Sequence, residues 1–425
     1  MSLFKTSALA LALLVWPAIT RAEIPKPDDA PQPKSPEESR KCFSLPEGFR
    51  IDLIASEPLI RDPSCVAWDE NGRLFVSEIH GYNLEGHLDV TSLNKTGKLD
   101  TSIRRIRVGS EMKEEARRGQ TGALKLLRDK DGDGHMDEVV IWADDIPPAY
   151  GVVAARGGVV VLAEPDIYFF ADRDGDDKPD VRELLFTGFE RGEMERSINN
   201  PVWGPDNWIY AGRGWGGAEV TGPKLKGIVK LGRTDFRFKP DGSAIEPVSG
   251  DNHTFGMCFD DFGFRYLITT GQPVRYAAPL PYRYLARNPH VSSPGTTVGA
   301  TSYYNTFPVS APHPWRRKRG ADPRWVKFYG AGEAKPNGNF TSACGQQVYR
   351  AELFPEKYRG NHFACEPQQN MVHRSIVERD GPGLRAQRPE EHAESEFLSS
   401  SDGWFRPNNL RVGPDGALYI VDMYR

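Results

Sequence analysis

The feature that most constrains this chain is a recurring phrase: a short apolar strand, a turn built on Asp, Asn or Gly, and a second apolar strand. Four copies are plain. They are Cys65–Trp68 / Asp69–Gly72 / Leu74–Val76, Pro201–Trp203 / Gly204–Asn207 / Trp208–Tyr210, Gly256–Phe259 / Asp260–Gly263 / Tyr266–Ile268 and Leu410–Val412 / Gly413–Gly416 / Ala417–Val421. Two weaker copies fill the gaps, Gly151–Ala154 with Val159–Leu162 around Gly157-Gly158, and Gln347–Tyr349 with Asn361–Ala364 after Arg359-Gly360. Six hairpins with almost no helical period predict an all-β fold, a six-bladed β-propeller whose blades each have one hairpin innermost. Gly 42 and Pro 34 supply the turn formers, without a collagen-like period. A large β-sandwich is the alternative, but sandwiches do not repeat one turn motif so regularly. The chain stops at Arg425, just after the sixth copy, so the last blade is expected to be incomplete. Its closing strands are expected partly from beyond that residue and partly from Gly48–Glu57.

The first residues have a different character. Lys5, an apolar run from Ala8 to Ile19 and the small-x-small triplet Thr20-Arg21-Ala22 read as a secretory signal over 1–22, the alternative being a membrane anchor. Residues 23–41 hold Pro25, Pro27, Pro31, Pro33 and Pro36 among charges and read as a solvated linker, which leaves 42–425 as the propeller. The product is expected to be exported, periplasmic or extracellular, with membrane association only through parts outside this chain. A net charge of −4 gives no sign of a nucleic-acid binder. Of five cysteines, Cys344 with Cys365 and Cys42 with Cys65 are pairing candidates, leaving Cys258 as a free thiol. None forms C-x-x-C, so neither a zinc ribbon nor a covalent haem site is present.

Propeller geometry turns the repeat into a site expectation, because residues just before each first strand and just after each second strand line one funnel. Those positions hold Arg61, Arg196, Asn199, His253, Arg406 and Asn408 on one side, and His80, Glu164, Arg213 and Arg275 on the other. Arginines converging on one mouth favour an anionic or polyhydroxylated ligand. For any single residue the alternative is an ordinary solvated loop group. A second constellation is acidic. Asp129, Asp131, Asp133 and Asp137 fall at the spacing of a calcium loop, and Asp172, Asp174, Asp176, Asp180 and Glu183 repeat it. The first copy has Val140 where the bidentate Glu belongs. The second keeps Glu183, which predicts tighter binding there, but has Asp177 in the Gly slot. Crowded carboxylates repel unless a cation neutralises them, so Ca²⁺ is the expected ion and a bare acidic turn the alternative.

Phe43-Ser-Leu-Pro-Glu-Gly-Phe49, Trp68-Asp-Glu-Asn-Gly-Arg-Leu-Phe-Val-Ser-Glu78, Trp203-Gly-Pro-Asp-Asn-Trp-Ile-Tyr210, Cys344-Gly345 and Gly413-Pro-Asp-Gly-Ala-Leu-Tyr419 with Asp422-Met-Tyr-Arg425 carry a resemblance. Residues 42–425 resemble the "membrane-bound dehydrogenase" propeller domain of planctomycete-type haem-binding proteins. That family is similar in turn to soluble quinoprotein glucose/sorbosone dehydrogenases. The resemblance implies pyrroloquinoline quinone and Ca²⁺ as cofactors, a sugar or sugar derivative as substrate and a cytochrome c domain as electron acceptor. It makes Arg61, Asn199, Arg213, Arg275, Arg406 and Asn408 the candidate cofactor-binding set. A non-catalytic carbohydrate-binding propeller and a lactonase-type hydrolase are the competing readings. In the sugar dehydrogenases the catalytic His falls where this chain has Arg196, so His253 and His80 are the remaining base candidates, with His253 preferred.

Overall fold

The computed structural model describes residues 31–424 except 82–98, 101–104, 107–119, 191–193, 195–196, 215, 233, 252–254, 289, 291–295, 314–315, 318–320, 322, 324–325 and 328–336. The expected signal segment, Arg196 and His253 therefore lie outside the described residues. Each strand–turn–strand phrase becomes an antiparallel pair in a sheet of its own, and a small separate pair, Leu99–Asp100 with Arg105–Ile106, stands beside these sheets among the described residues. The first is Pro63–Trp68, Leu74–Ile79, Gly122–Arg128 and Glu138–Ile146. The second starts with Gly151–Ala155, Gly158–Ala163, Asp166–Ala171 and Val181–Phe189, then adds Ala218–Thr221 and Val229–Leu231. The third is Asn199–Trp203, Ile209–Gly212, Phe236–Phe238 and Ile245–Pro247, and the fourth Cys258–Phe259, Arg265–Thr269, Gln272–Ala277 and Thr297–Gly299. The fifth holds Cys344–Val348, His362–Glu366, Met371–Asp380 and Leu398–Ser400, with Gly383–Gln387 on its flank. The sixth, among the described residues, is the single pair Pro407–Val412 and Leu418–Asp422. The all-β, propeller-type architecture read from the repeat is the one observed.

The repeated turn has a mechanical reason. Its first carboxylate takes back main-chain N–H groups: Asp69 Oδ1 accepts from Asn71 (3.0 Å) and Arg73 (2.9 Å), and Asp260 Oδ1 from Phe262 (2.9 Å) and Phe264 (2.8 Å). Between sheets, apolar side chains interleave. Phe169 and Phe186 of the second sheet share one fully buried cluster with Phe236 and Phe238 of the third, each ring stabilising the body by roughly 1.5–3 kcal/mol through burial.

The first strands stand side by side around an axis, and the sixth returns to the first. Amide side chains stitch them together there. Asn200 Nδ2 donates to Met257 O (2.8 Å), Asn409 Nδ2 donates to Ser64 O and Asn200 Oδ1 (both 3.0 Å), and Gln346 Nε2 donates to Gly256 O (3.1 Å). Glycine is required where the strands come closest. A Cβ on Gly345 (φ 53°) would lie 2.3 Å from Asn408 O, and one on Gly151 would lie 2.2 Å from Pro201 Cδ. Just ahead of this waist, on the side where the first strands begin, the rings of Tyr150 and Phe255 approach to 5.9 Å in a buried apolar plug with Ile79, Met194 and Met423.

On the same side, buried carboxylates at the ends of second strands hold incoming loops. Glu366 Oε2 accepts from Thr341 N (3.1 Å) and Ser342 N (3.0 Å), Asp422 Oδ1 from Arg406 N (2.7 Å) and Tyr424 N (2.9 Å), and Glu164 Oε2 from Ile198 N (2.9 Å). Burial pushes both Glu366 and Asp422 up to about 7, against the pull of these main-chain donors.

Three expectations about the chain's edges are corrected. Gly48–Glu57 forms no strand: Phe49 and Ile51 pack against the same cluster as Leu418 and Ile420, Arg50 and Asp52 pair outward (2.9 Å), and Ile54 O accepts from Met136 N (2.8 Å) without a ladder forming. The N-terminal strand is instead Phe43–Ser44, added to Leu398–Ser400 at the outer edge of the fifth sheet. The segment read as a solvated linker holds the helix Pro36–Arg40, capped by Ser35 and Glu38, and Pro31 O accepts from Trp404 Nε1 (2.7 Å). All five thiols are free. Cys42 borders the fifth sheet's outer edge while Cys65 sits in the first sheet's innermost strand, which separates that pair. Cys344 and Cys365 are ladder partners, but their thiols turn to different carbonyls, Pro407 O (3.9 Å) and Gly345 O (3.6 Å).

Gly345→Ala is expected to lower unfolding free energy by about 2–4 kcal/mol, combining left-handed strain with overpacking. Gly360→Ala, where a Cβ meets nothing within 4 Å, should show only the backbone part; equal urea midpoints for the two variants would contradict the close-approach argument. For pH, the folded-state values of Glu366 and Asp422 near 7 lie above the unfolded carboxyl range near ~4. The folded state therefore binds more protons across that window, and stability falls as pH rises from ~4 to ~7. Glu366→Gln should flatten the slope, read as the difference in urea midpoint between acidic and neutral buffer; an unchanged slope would count against it.

Candidate functional site

Where the second strand of the first sheet ends, Ser77-Glu78-Ile79-His80 places two titratable groups two residues apart, on one side of an extended chain. Glu78 is fully buried, and its Oε2 meets His80 Nε2 at 2.8 Å. Its Oε1 takes Lys125 Nζ from the third strand (2.8 Å) and the main-chain N–H of Arg61 (2.8 Å). Burial raises the carboxyl's pKa, but the bonds from His80, Lys125 and Arg61 outweigh it and leave Glu78 below the ordinary range. His80 keeps 16% of its side chain exposed, with Nδ1 at 3.4 Å from Thr121 Oγ1. A buried anion orienting a partly exposed imidazole is the arrangement a general base requires. Sequence reasoning named His80 and Arg61 but missed Glu78 and Lys125. The alternation Glu78, His80 at a strand end was the available signal.

The structure does not gather the candidate cofactor-binding set on one mouth. Asn199 and Asn408 belong to the waist: Asn199 Oδ1 accepts from Gly256 N (3.3 Å), and Asn408 Nδ2 donates to Pro63 O (2.7 Å). Buried Arg213 donates through Nη1 to Gly232 O and through its main chain to Asp235 Oδ1 (3.3 Å), and Arg406 Nη1 donates to Pro367 O (2.7 Å). Guanidinium forks satisfy loop carbonyls at these places, and that use withdraws them from the funnel. Arg61 is exposed.

Arg275 differs from the rest. Burial depresses its pKa, against the fields of Asp251 and Asp235, and its Nε is buried without a hydrogen-bond partner. Both aspartates are engaged elsewhere, Asp235 with Arg265 Nη1 (2.6 Å) and Asp251 with Thr297 Oγ1 (2.5 Å). An orphaned cationic donor of this kind fits one carboxylate of a pyrroloquinoline quinone.

The two acidic loops occupy equivalent places, each the turn between third and fourth strands of adjacent sheets. Asp129, Asp131 and Asp133 bring carboxylate oxygens within 4.8 Å of one another, and so do Asp172, Asp174 and Asp176. Asp137 and Asp180 instead close their loops, accepting from Lys130 N (3.3 Å) and Arg173 N (3.0 Å). The expectation that Glu183 strengthens the second loop is corrected. Its carboxylate faces Arg156 (3.0 and 3.3 Å), which lowers its pKa, while Asp177 pairs with Arg128 and with Arg73 Nη1 (2.8 Å), the latter also reaching Asp172 (3.2 Å). Arginine charge already compensates that loop.

Over residues 35–425 the chain matches a family described as a domain of unknown function, DUF7133. No curated protein matches it. Among solved structures it is similar to a putative oxidoreductase (glucose dehydrogenase) of Thermus thermophilus, at 14% identity and TM-score 0.46 over 88% of this chain and 93% of that one. It is also similar to the apo soluble aldose sugar dehydrogenase of Escherichia coli (13%, TM-score 0.43, 86% and 93%). A third is the PQQ-bound aldose sugar dehydrogenase of Streptomyces coelicolor (13%, TM-score 0.43, 90% and 92%). With the match running from the capped helix to the last strand, this chain is a member of the DUF7133 family.

Proposed function

We propose that the protein is an exported, quinoprotein-like sugar dehydrogenase on a six-bladed propeller, oxidising an aldose or sugar derivative and passing electrons to a cytochrome c acceptor outside this chain. The observation that carries the reading is the Glu78–His80 pair at the strand end bordering the funnel side, set beside the motif resemblance. His80 takes the proton of the substrate hydroxyl, and Glu78 stabilises the imidazolium that forms. Arg275 and Arg61 would hold carboxylates of pyrroloquinoline quinone, which when bound supplies the two-electron acceptor. Among the described residues no helix is long and apolar enough to cross a membrane. A non-catalytic carbohydrate-binding propeller is the second reading, favoured by Arg196 in the place where the sugar dehydrogenases carry their base. The lactonase-type reading is disfavoured because, among the described residues, the grouped carboxylates lie in the turns between third and fourth strands.

The test mixes purified protein with quinone, Ca²⁺, an artificial electron acceptor and a panel of aldoses. Turnover is expected, with His80→Ala lowering kcat by roughly 10²–10⁴ and Arg275→Ala weakening quinone binding by about tenfold or more, as loss of a charged hydrogen bond predicts. Sugar binding with no quinone binding in titration would select the second reading. We further propose Ca²⁺ at the two acidic turns, serving stability, with the first loop the tighter because the second is already paired with arginine. Melting temperature should rise with Ca²⁺, by the equivalent of about 2.7 kcal/mol per site at a hundredfold excess over Kd, and Asp131→Asn with Asp174→Asn should remove the response. A melting curve indifferent to Ca²⁺ and chelator alike would return both loops to plain acidic turns.

A further inference from the structure

We infer that Glu78 is a positioning residue that sets the tautomer of His80, holding the ring proton on Nε2 and leaving Nδ1 as the proton acceptor. The inference rests on the reading of His80 as the base of the proposed reaction. Three donors converge on Glu78: Lys125 Nζ and Arg61 N on Oε1 (both 2.8 Å) and His80 Nε2 on Oε2 (2.8 Å). An ionised carboxylate only accepts, so the 2.8 Å contact forms a hydrogen bond only when Nε2 carries the proton. The opposite tautomer would set an imidazole lone pair against a fully buried anion.

The other ring nitrogen has a partner suited to the complementary role. Thr121 Oγ1 lies 3.4 Å from Nδ1 and can donate to it, while the main chains of the two residues are tied by His80 N to Thr121 O (2.8 Å). Lys125 is anchored independently on Leu59 O (3.0 Å), so the charge that keeps Glu78 ionised does not depend on the ring's position. Among the described residues, the charged group bonded to the imidazole is thus Glu78 from its own strand, with Lys125 from the third strand on that carboxylate's other oxygen.

The test is nitrogen NMR of the full chain with ¹⁵N-labelled histidine, in wild type, Glu78→Gln and Glu78→Asp, at a pH where His80 is neutral. Wild type should show the signature of an unprotonated Nδ1, Glu78→Gln a mixture of tautomers, and Glu78→Asp a return toward wild type. Where turnover is measured, Glu78→Gln should lower kcat by roughly 10²–10⁴ with KM nearly unchanged, since the group lost orients the base and does not bind substrate. A protonated Nδ1 in wild type, or the same populations in Glu78→Gln, overturns the inference. If Glu78→Gln does not fold, the wild-type spectrum alone decides. If the tautomer depends on Glu78 but no sugar is oxidised, the positioning role stands and the dehydrogenase reading fails.

Discussion

The close approach of the first strands at the axis is the constraint on which the rest of this molecule depends. Side chains cannot pass between strands at Gly151 and Gly345, so the ring is held by backbone contact and by the amides of Asn200, Gln346, Asn408 and Asn409. Each of these amides reaches a main-chain oxygen of another sheet's first strand or of the segment leading into it, junctions that main-chain bonds cross only at single points such as Gly345 N to Phe255 O (2.7 Å) among the described residues. Buried polar groups that find partners specify one arrangement, because any slip of one sheet against another would strand several at once.

The waist also governs where chemistry has room. On its funnel side Tyr150 and Phe255 pack together in a buried apolar cluster. Charged side chains nearby divide into those that serve the main chain and those that do not. Glu164, Glu366, Asp422, Arg213 and Arg406 bind loop N–H or C=O groups and are consumed by that task. His80, Arg61 and Arg275 are not, and the proposed chemistry falls to them.

Glu78 shows how one residue can belong to both groups. It is the structural counterpart of Glu366 and Asp422 at a second-strand end, yet its carboxylate is bonded directly by Lys125 and His80, whereas the fields of Arg316 at Glu366 and Arg406 at Asp422 only partly offset burial, and its acidity moves the opposite way. Burial is common to all three positions. Lys125 and His80 make the difference, and whether such a carboxylate is a proton store or a fixed anion depends on neighbours from other strands.

The local code was fully legible. Asp-headed turns, alternating apolar strands and the two Asp-x-Asp loops are written within a dozen residues each, and local hydrogen bonds decide them. The all-β class followed from the same phrase. What tertiary structure decided was every question of company. Arginine at a loop position reads the same in sequence whether its guanidinium meets a carbonyl, as in Arg406, or is left with an unpaired Nε, as in Arg275. Glu183 had the right spacing for a metal and was taken by Arg156, and Cys42 had a nearby cysteine in sequence that the sheets carried away from it. Spacing along a chain determines which groups a turn can bring together; between sheets, the partner is whichever charge or carbonyl the packing brings within hydrogen-bond distance, and that distance is not encoded locally.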